Sequence, residues 1–266
     1  MSGLNDLKIQ VLKLGGGLIT DKNKPLTVKH RTLRRIAKEI SRYVREKDPK
    51  ERLIIIHGGG SYGHYVAKKF LDLKGGYDEE AFTHISKVMI ELNRVVIEKL
   101  INEGINAISV QTHAISCIVN GEAFIELGFI KYLIKKGFVP VLYGDIVISK
   151  DDGLKYEILS GDTIAWYLAN KLSARRLLFA TNVDGVYDRD PSKSGARLLK
   201  VVSLSDLKLE ATKPPIDVTG GMMKKLLDGL KYIREGMEVI IFNGSVRNRI
   251  YNALIGKPII STYVRP

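Results

Sequence analysis

The run Leu53-Ile54-Ile55-Ile56 leads straight into His57-Gly58-Gly59-Gly60-Ser61-Tyr62-Gly63-His64, and this junction constrains the fold more than any other stretch. Four apolar, mostly β-branched residues read as a buried strand. Three consecutive glycines then remove every Cβ at its tip. The backbone there can take positive φ and can approach a ligand closely. A helical stretch, 65–71, leaves the loop. Loop N–H groups and the start of a following helix together make a ready anion site. His64, within one turn of that site, carries a side chain that can become positive. The loop therefore reads as a holder of phosphate, to which the rest of the chain brings a second phosphate. As a glycine cluster alone, it also fits a tight strand-to-helix turn.

The alternation begun at this junction continues along the chain. Apolar runs at 8–14, 52–56, 107–111, 139–143, 176–180, 238–242 and 258–263 read as strands. Helical spacing recurs at 32–45, 81–102, 128–136, 161–172, 222–235 and 247–255, with a short helix near 203–208. In the first of these it puts Leu33, Ile36, Ile40 and Val44 on one face. Asn120-Gly121 marks a hairpin within 117–125, and Asp151-Asp152-Gly153 closes another between 145 and 159. The expected fold class is α/β: an open, mostly parallel sheet sandwiched between helices, with β-hairpin insertions. Ligands of such sheets sit beyond the carboxyl ends of the strands. Glycine-containing loops at 15–17, 58–60 and 243–244 each follow a strand, which gathers them along one rim.

Composition narrows what that rim can bind. Lysine and arginine number 42 against 29 acidic residues, a net charge of +13, which suits anionic partners. The basic residues are spread along the chain, and no RNP, zinc-finger or basic-zipper pattern occurs, so a solvated basic surface is expected ahead of a nucleic-acid partner, and charge alone does not identify the anion. No apolar run approaches the roughly 18 residues of a spanning helix, and the first residues carry no leader pattern. A single cysteine, Cys117, excludes an internal disulfide and a multi-thiolate metal site. The expectation is a soluble, intracellular protein with no membrane partner.

Residues 58–63 match G-x-G-x-x-G, but a dinucleotide site needs a second strand ending in an acid about 20 residues on. Asp78 stands at that spacing in a turn before a helix, so that reading fails. Lys13 interrupts an otherwise apolar strand one residue before a glycine loop. Burying an unpaired ammonium is costly, so this lysine implies an anionic partner or a side chain that reaches the rim. Asp162, in Ser160-Gly161-Asp162-Thr163, starts a helix and can serve as its cap, orient lysines, or both. Lys225 lies on the first turn after Gly220-Gly221-Met222, and Lys22 in a polar turn; nothing local separates either from a solvated surface lysine.

The segments KLGGG at 13–17, HGGG at 57–60, GDIVI at 144–148, SGDT at 160–163, TNVDGVY at 181–187 and DVTGGM at 217–222 resemble, in order and across almost the whole chain, the motif series of the amino acid kinase superfamily. Within it, HGGGSYGH together with DK at 21–22 resembles the isopentenyl phosphate kinases of the archaeal mevalonate route. The histidine is the specific mark. Acetylglutamate, carbamate and UMP kinases lack it as a rule, and fosfomycin kinase shares it.

The resemblance implies phosphoryl transfer from ATP, with magnesium, to isopentenyl phosphate. It implies one domain over 1–266, its N-terminal lobe (1–172) binding the acceptor and the remainder (173–266) binding ATP, in a cytoplasmic homodimer. Lys13, Gly15, Gly16 and Gly17 would hold the ATP phosphates, and Gly59 and Gly60 would lie between the two phosphates. His64 and the Gly161 backbone would bind the acceptor phosphate, and Asn182, Asp184 and Gly221 would lie near the nucleotide. Lys225 would reach the transferred group, Lys22 would help from the opposite side, and Asp162 would hold the lysines in place. No protein metal ligand is implied. For the isoprenoid tail the candidates are Phe82, Ile85, Ser86 and Met89 on the long helix and Ile146 and Ile148 on the hairpin; each also fits ordinary core.

The chemistry agrees with a phosphate acceptor. A phosphate monoester has a second pKa of about 6, so no general base is required, and none is evident beside the loop. Two anions that must meet need several cations, which Lys13, Lys22, His64 and Lys225 supply. The chain departs from the family pattern at Gly17, where a serine is usual, at Asn182, where an aspartate is common, and at Thr163, where an acid often follows Asp162. A phosphonate- or UMP-directed kinase of the same fold, and a non-catalytic nucleotide or oxyanion binder, are the alternative readings.

Overall fold

A computed structural model describes residues 6–151, 155–203 and 220–266. The chain runs through β1 (Lys8–Leu14), α1 (Gly16–Ile19), α2 (His30–Glu46), β2 (Glu51–His57), α3 (Gly60–Lys74) and α4 (Glu79–Asn102). It continues through β3 (Ala107–Ser109), α5 (Thr112–Ile115), β4 (Ser116–Val119), β5 (Glu122–Ile125), α6 (Gly128–Lys135), β6 (Val139–Tyr143), β7 (Asp145–Ser149) and β8 (Lys155–Leu159). Then come α7 (Gly161–Lys171), β9 (Arg176–Thr181), β10 (Val186–Tyr187), β11 (Leu198–Leu199), β12 (Val201–Ser203), α8 (Gly220–Gly229), β13 (Glu238–Asn243), α9 (Arg249–Leu254) and β14 (Ser261–Arg265).

Eight strands form the main sheet in the order β12-β14-β13-β9-β1-β2-β6-β3. All neighbours are parallel except β13 and β14. The two hairpins make a separate four-stranded sheet, β5-β4-β7-β8, and β10 pairs with β11 alone. In the first hairpin Asn120 and Gly121 both take positive φ, 53° and 69°, as a tight two-residue turn demands. The expected α/β class, parallel sheet and hairpin insertions are all present.

Alternation along β1 explains both the core and the site. Leu12 and Leu14 face one side of the sheet, packed with α2, α4 and α9 through residues such as Ile36, Leu92 and Ile250. Ile9 and Val11 face the other, with α6 and α7 through Ile130, Ile164 and Trp166. Lys13 shares the parity of Ile9 and Val11, which directs it to the α7 side.

Register sets the rim. Leu14 pairs with both His57 and Ala180, His57 with Tyr143, and Ala180 with Phe242. The strands therefore end level, and the next glycines are bound across the ends. Gly58 N donates to Leu14 O at 3.0 Å, Gly15 N to Ala180 O at 2.8 Å, Gly144 N to His57 O at 3.0 Å and Gly244 N to Thr181 O at 2.9 Å.

Several boundaries differ from the sequence reading. α3 begins at Gly60, five residues before the expected 65, so His64 sits inside the helix. Gly60 takes φ +50°, which lets the chain turn into the helix only two residues after the strand ends. Residues 16–19, read as loop, form the short α1. The helix expected over 222–235 stops at Gly229, where the indole of Trp166 occupies the space a Cβ would need. The last strand starts at Ser261, not 258, and runs antiparallel to β13. The turn residues 152–154 and, beyond Ser203, the short helix expected near 203–208 lie outside the described residues.

Candidate active site

Lys13 emerges at the end of β1 with 6% of its surface exposed, yet its ammonium is paired. Its Nζ lies 2.5 Å from Asp162 Oδ1, and Lys225 Nζ lies 2.6 Å from Asp162 Oδ2. One carboxylate thus bridges two lysines from opposite ends of the chain. Local structure aims all three. Ser160 caps α7 by accepting from Thr163 N at 3.0 Å, which frees Asp162, in the first turn, to face β1. The cap is therefore Ser160, not Asp162. Thr163 Oγ1 donates to Asp228 Oδ2 at 3.0 Å, and the Trp166 indole N–H donates to Lys225 O at 3.0 Å. These two bonds tie α8 to α7. Lys225 Nζ also sits over the Phe179 ring, 4.8 Å from its centroid.

The charges in this cluster are strongly biased. Burial disfavours ionised Asp162, but the ammonium groups of Lys13 and Lys225 outweigh it and hold the carboxyl well below the usual range. Burial and the nearby Lys13 ammonium push Lys225 down to about 8, against the upward pull of Asp162. Three charges sum to one net positive, a poised site for an anion in a low-dielectric setting.

The glycine loops interlock beside the cluster. A Cβ on Gly16 would fall 2.3 Å from Gly60 N, and one on Gly58 would fall 2.8 Å from Gly16 N. Only bare backbone lets these two loops touch. Thr20 Oγ1 staples them, donating to Gly16 O at 2.8 Å and accepting from Ser61 N at 2.9 Å.

Two cavities open on either side of this interlock. One, of about 390 Å³, is lined by Lys13, Gly15, Gly17, Lys22, Asn182 and Lys225, with Tyr187 and Arg189 among its further walls. The other, of about 580 Å³, is lined at one end by Lys13, Gly59, His64, Gly161 and Asp162 and at the other by Ala67, Leu71, Tyr77, Ile85, Met89 and Ile158. Lys13 and no other charged residue belongs to both linings among the described residues. The first can take a polyanion with an attached ring system. The second sets basic Lys13, His64 and Lys68 and acidic Asp145, Asp162 and Asp228 beside an apolar stretch, which suits a polar head with a hydrocarbon tail.

The residues singled out in the sequence divide accordingly. Lys13, Lys22, Asp162 and Lys225 come together at the cavities, as do Gly15, Gly17, Gly59, His64, Gly161, Asn182, Ile85 and Met89. Gly16 lines the larger cavity, not the smaller one expected for it. Gly60 lines neither, being packed against Gly16 and Thr20. Asp184 is not among the residues lining either cavity and pairs with Arg249. Gly221 lies in the first turn of α8, next to Met222 of the smaller cavity.

Four tail candidates do not line the larger cavity. Phe82 packs against His113 and Tyr156. Ser86 is buried and donates to Phe82 O. Ile146 is fully buried in the core, and Ile148, on the outer face of β7, is 42% exposed. Of the β7–β8 hairpin, Asp145 and Ile158 are the residues that line the cavity.

Sequence reasoning missed Lys68, Asp145 and Asp228. Lys68 stands four residues after His64, one helical turn along the same face, and that spacing was available once α3 was extended. Asp145 is buried, accepts from His113 Nδ1 at 2.8 Å and from Ile146 N, and carries a raised pKa because burial outweighs the histidine. His57 is also buried, stacked on Tyr143, with its pKa pushed down to about 4 by burial. It lines neither cavity.

A parallel sheet whose strand tips carry interlocked glycine loops, with a lysine–aspartate–lysine cluster between two anion-suited cavities, defines a class. The amino acid kinase family model matches residues 8–243, and the chain belongs to that family. Within it, the similarity runs to isopentenyl phosphate kinases. That of Methanocaldococcus jannaschii is 39% identical over 94% of this chain and 96% of its own length. That of Methanothermobacter thermautotrophicus is 35% identical over 96% of this chain and 98% of its own. A solved isopentenyl phosphate kinase superposes with a TM-score of 0.80 at 31% identity, covering 96% of this chain and 99% of the other.

Proposed function

We propose that this chain transfers the terminal phosphoryl group of ATP to isopentenyl phosphate, giving isopentenyl diphosphate and ADP. The observation that carries this reading is the second cavity: it shares Lys13 with the nucleotide side, holds His64 and Lys68, and continues into an apolar wall formed by α3, α4 and β8. The relatives named above, matched over nearly their whole length, support the same acceptor.

An oxygen of the acceptor phosphate attacks the γ-phosphorus while the bond to the β–γ bridging oxygen breaks, and ADP leaves. The acceptor is already largely dianionic near neutrality, so the chain need not remove a proton. Its task is alignment and charge. Lys13 stands where the two phosphates meet. Lys22 and Lys225 face the ATP phosphates, His64 faces the acceptor phosphate, and Asp162 fixes both buried lysines. Backbone N–H groups of the bare glycine loops fit a phosphate that must come close. Asn182 lies at the edge of the nucleotide side, and Gly221 supports Met222 there. Asp184 serves that side indirectly, by holding Arg249.

Magnesium belongs to the proposal as a companion of ATP, supplying charge neutralisation between the phosphates. Among the described residues no group of three or more His, Cys, Asp or Glu side chains could hold a metal ion. The proposed assembly is a cytoplasmic homodimer. No helix among the described residues is long and apolar enough to cross a membrane, and α4 leaves Ile90 and Ile101 exposed. We keep one domain. The proposed division of labour is not clean, because the β1–α1 loop of the N-terminal half lines the nucleotide side.

The test is an acceptor panel with Mg-ATP. Isopentenyl phosphate is expected to be turned over at a kcat/KM at least about a hundredfold above UMP, acetylglutamate or fosfomycin. Substitution of His64 by alanine is expected to raise KM for the acceptor and leave that for ATP nearly unchanged. Faster turnover of any other acceptor, or ATP binding without transfer, overturns the reading.

A further inference from the structure

Asp145 is a buried acid for which the transfer step has no task. With 1% of its surface exposed, it lines the larger cavity, and among the described residues its one ion-pair partner is His113. It follows Gly144, the corner at which the chain leaves the main sheet after β6 and enters the hairpin sheet as β7. Gly144 does not take positive φ, so conformation does not demand a glycine there. Packing does. A Cβ on Gly144 would fall 2.8 Å from Gly161 N, a backbone atom that has no side-chain freedom to step aside. A Cβ on Gly161 would in turn fall 3.0 Å from His57 O, the carbonyl to which Gly144 N donates at 3.0 Å. The two glycines therefore sit back to back. Gly161 opens α7, where the first N–H groups lack intrahelical partners and suit an anion. A shift of the corner carries the Gly161 N–H with it.

Two consecutive residues of α5 clip that corner. Thr112, fully buried, donates through Oγ1 to Tyr143 O at 2.7 Å and accepts from Tyr143 N at 3.2 Å. His113 takes the residue on the far side of Gly144. Its Nδ1 donates to Asp145 Oδ2 at 2.8 Å, while Asp145 Oδ1 accepts from Ile146 N at 2.9 Å. The Gln111 amide donates to His113 Nε2, which leaves the ring proton on Nδ1. The imidazole also meets the Phe82 ring of α4 edge-on, with centroids 5.5 Å apart. A carboxylate with both oxygens engaged in this way is a tether for the backbone around it.

We infer that Asp145 and His113 are positioning residues for the acceptor phosphate: together they fix the Gly144 corner, and through it the Gly161 N–H. The inference rests on the kinase reading above, which puts the acceptor phosphate beside Gly161. It gives a reason for an acid in the wall of an anion's cavity. Paired with His113, Asp145 fastens the corner; unpaired, it repels the phosphate. Neither Gly144, Asp145 nor Gly161 lines the smaller cavity, so the effect belongs to the acceptor side alone.

The test uses the full chain and four variants. His113→Phe keeps a ring against Phe82 and removes the N–H. His113→Asn offers an amide N–H in place of Nδ1. Asp145→Asn is made alone and together with His113→Phe, and thermal melts check that each variant folds. With Mg-ATP, His113→Phe is expected to lower kcat/KM for isopentenyl phosphate at least about tenfold, with KM for ATP within about twofold of wild type. His113→Asn is expected to stay within about threefold of wild type, because the hydrogen bond to Asp145 is kept. Adding Asp145→Asn to His113→Phe is expected to cost less than about twofold more, because the tether is already cut.

Calorimetric titration supplies a readout independent of turnover. Isopentenyl phosphate is expected to bind His113→Phe about tenfold more weakly than wild type, and a non-hydrolysable ATP analogue to bind both alike. An unchanged kcat/KM for the acceptor in folded His113→Phe overturns the inference. Equal losses on acceptor and ATP, or no recovery in His113→Asn, overturn it as well and assign His113 to packing. If His113→Phe does not fold, Asp145→Asn alone decides, by the same split between acceptor and ATP. A wild-type chain that does not turn over isopentenyl phosphate overturns the kinase reading; an active wild type with unaffected variants overturns this inference alone.

Discussion

Lys225 is where a single residue makes the most testable demand. Burial and the Lys13 charge bring its pKa down to about 8, and phosphate binding needs its charged form. The kcat/KM for ATP is therefore expected to fall as pH rises through about 8, the range in which the free enzyme loses that proton. Bound ATP favours the ammonium, so kcat is expected to hold to higher pH. Parallel pH–rate profiles check both limbs. For stability the sign is opposite: between about 8 and 10.5 the unfolded chain binds the extra proton, so this group makes the ligand-free fold more stable as pH rises. Asp162 gives the second prediction. Asp162→Asn leaves Lys13 and Lys225 facing each other uncompensated, and is expected to cost about 3 kcal/mol in urea unfolding. Added sulfate or ATP is expected to recover part of that loss. Of this cluster, Lys13 was legible from sequence, because an ammonium inside an apolar strand has to be answered. Its partnership with Lys225 was not legible from local pattern, since one carboxylate joins them only once α7 and α8 are packed.

Elements were read well where one periodicity ruled and less well where a contact from elsewhere intervened. β12, three residues long, falls in a stretch read as turns and a short helix, but α2, α4 and the other main-sheet strands follow from their spacing. α8 does not: its periodic pattern runs past 229, but the chain leaves the helix where Trp166 packs against the Gly229 backbone. A Cβ on Gly229 would lie 2.5 Å from the indole Cζ2. Gly229→Ala is therefore expected to push α8 from α7, destabilising the fold by about 1–3 kcal/mol in thermal or urea melts and lowering kcat through Lys225. α3 was read too short for the converse reason. A run of glycines argues against helix, yet Gly60 begins one, supported by the staple from Thr20 to Ser61 N. That misreading hid Lys68, which becomes visible only when the helix is counted from residue 60.

At the scale of the whole molecule, a net charge of +13 surrounds cavities that receive anions. Between about 0.01 and 0.1 M salt the screening length falls from roughly 30 to 10 Å. Over that range kcat/KM for the acceptor is expected to fall about tenfold, with kcat nearly constant, if the surface charge steers encounter; stopped-flow or initial-rate series at varied NaCl measure it. The gathering of the glycine loops on one rim was legible because those at 15–17, 58–60 and 243–244 each follow a strand, and the register of β1, β2, β6, β9 and β13 brings the strand ends level. The walls of the larger cavity were not. Phe82, Ser86, Ile146 and Ile148 are apolar or small in the right elements, but which side of a helix or strand meets a cavity depends on how the hairpin sheet sits over α4. The chain contains one tryptophan, and its indole N–H holds the carbonyl of Lys225. The protein thus has a built-in fluorescent gauge fixed to the backbone that carries a phosphate-binding lysine. Emission recorded during ligand mixing reports displacement of that backbone in real time, with no label to attach.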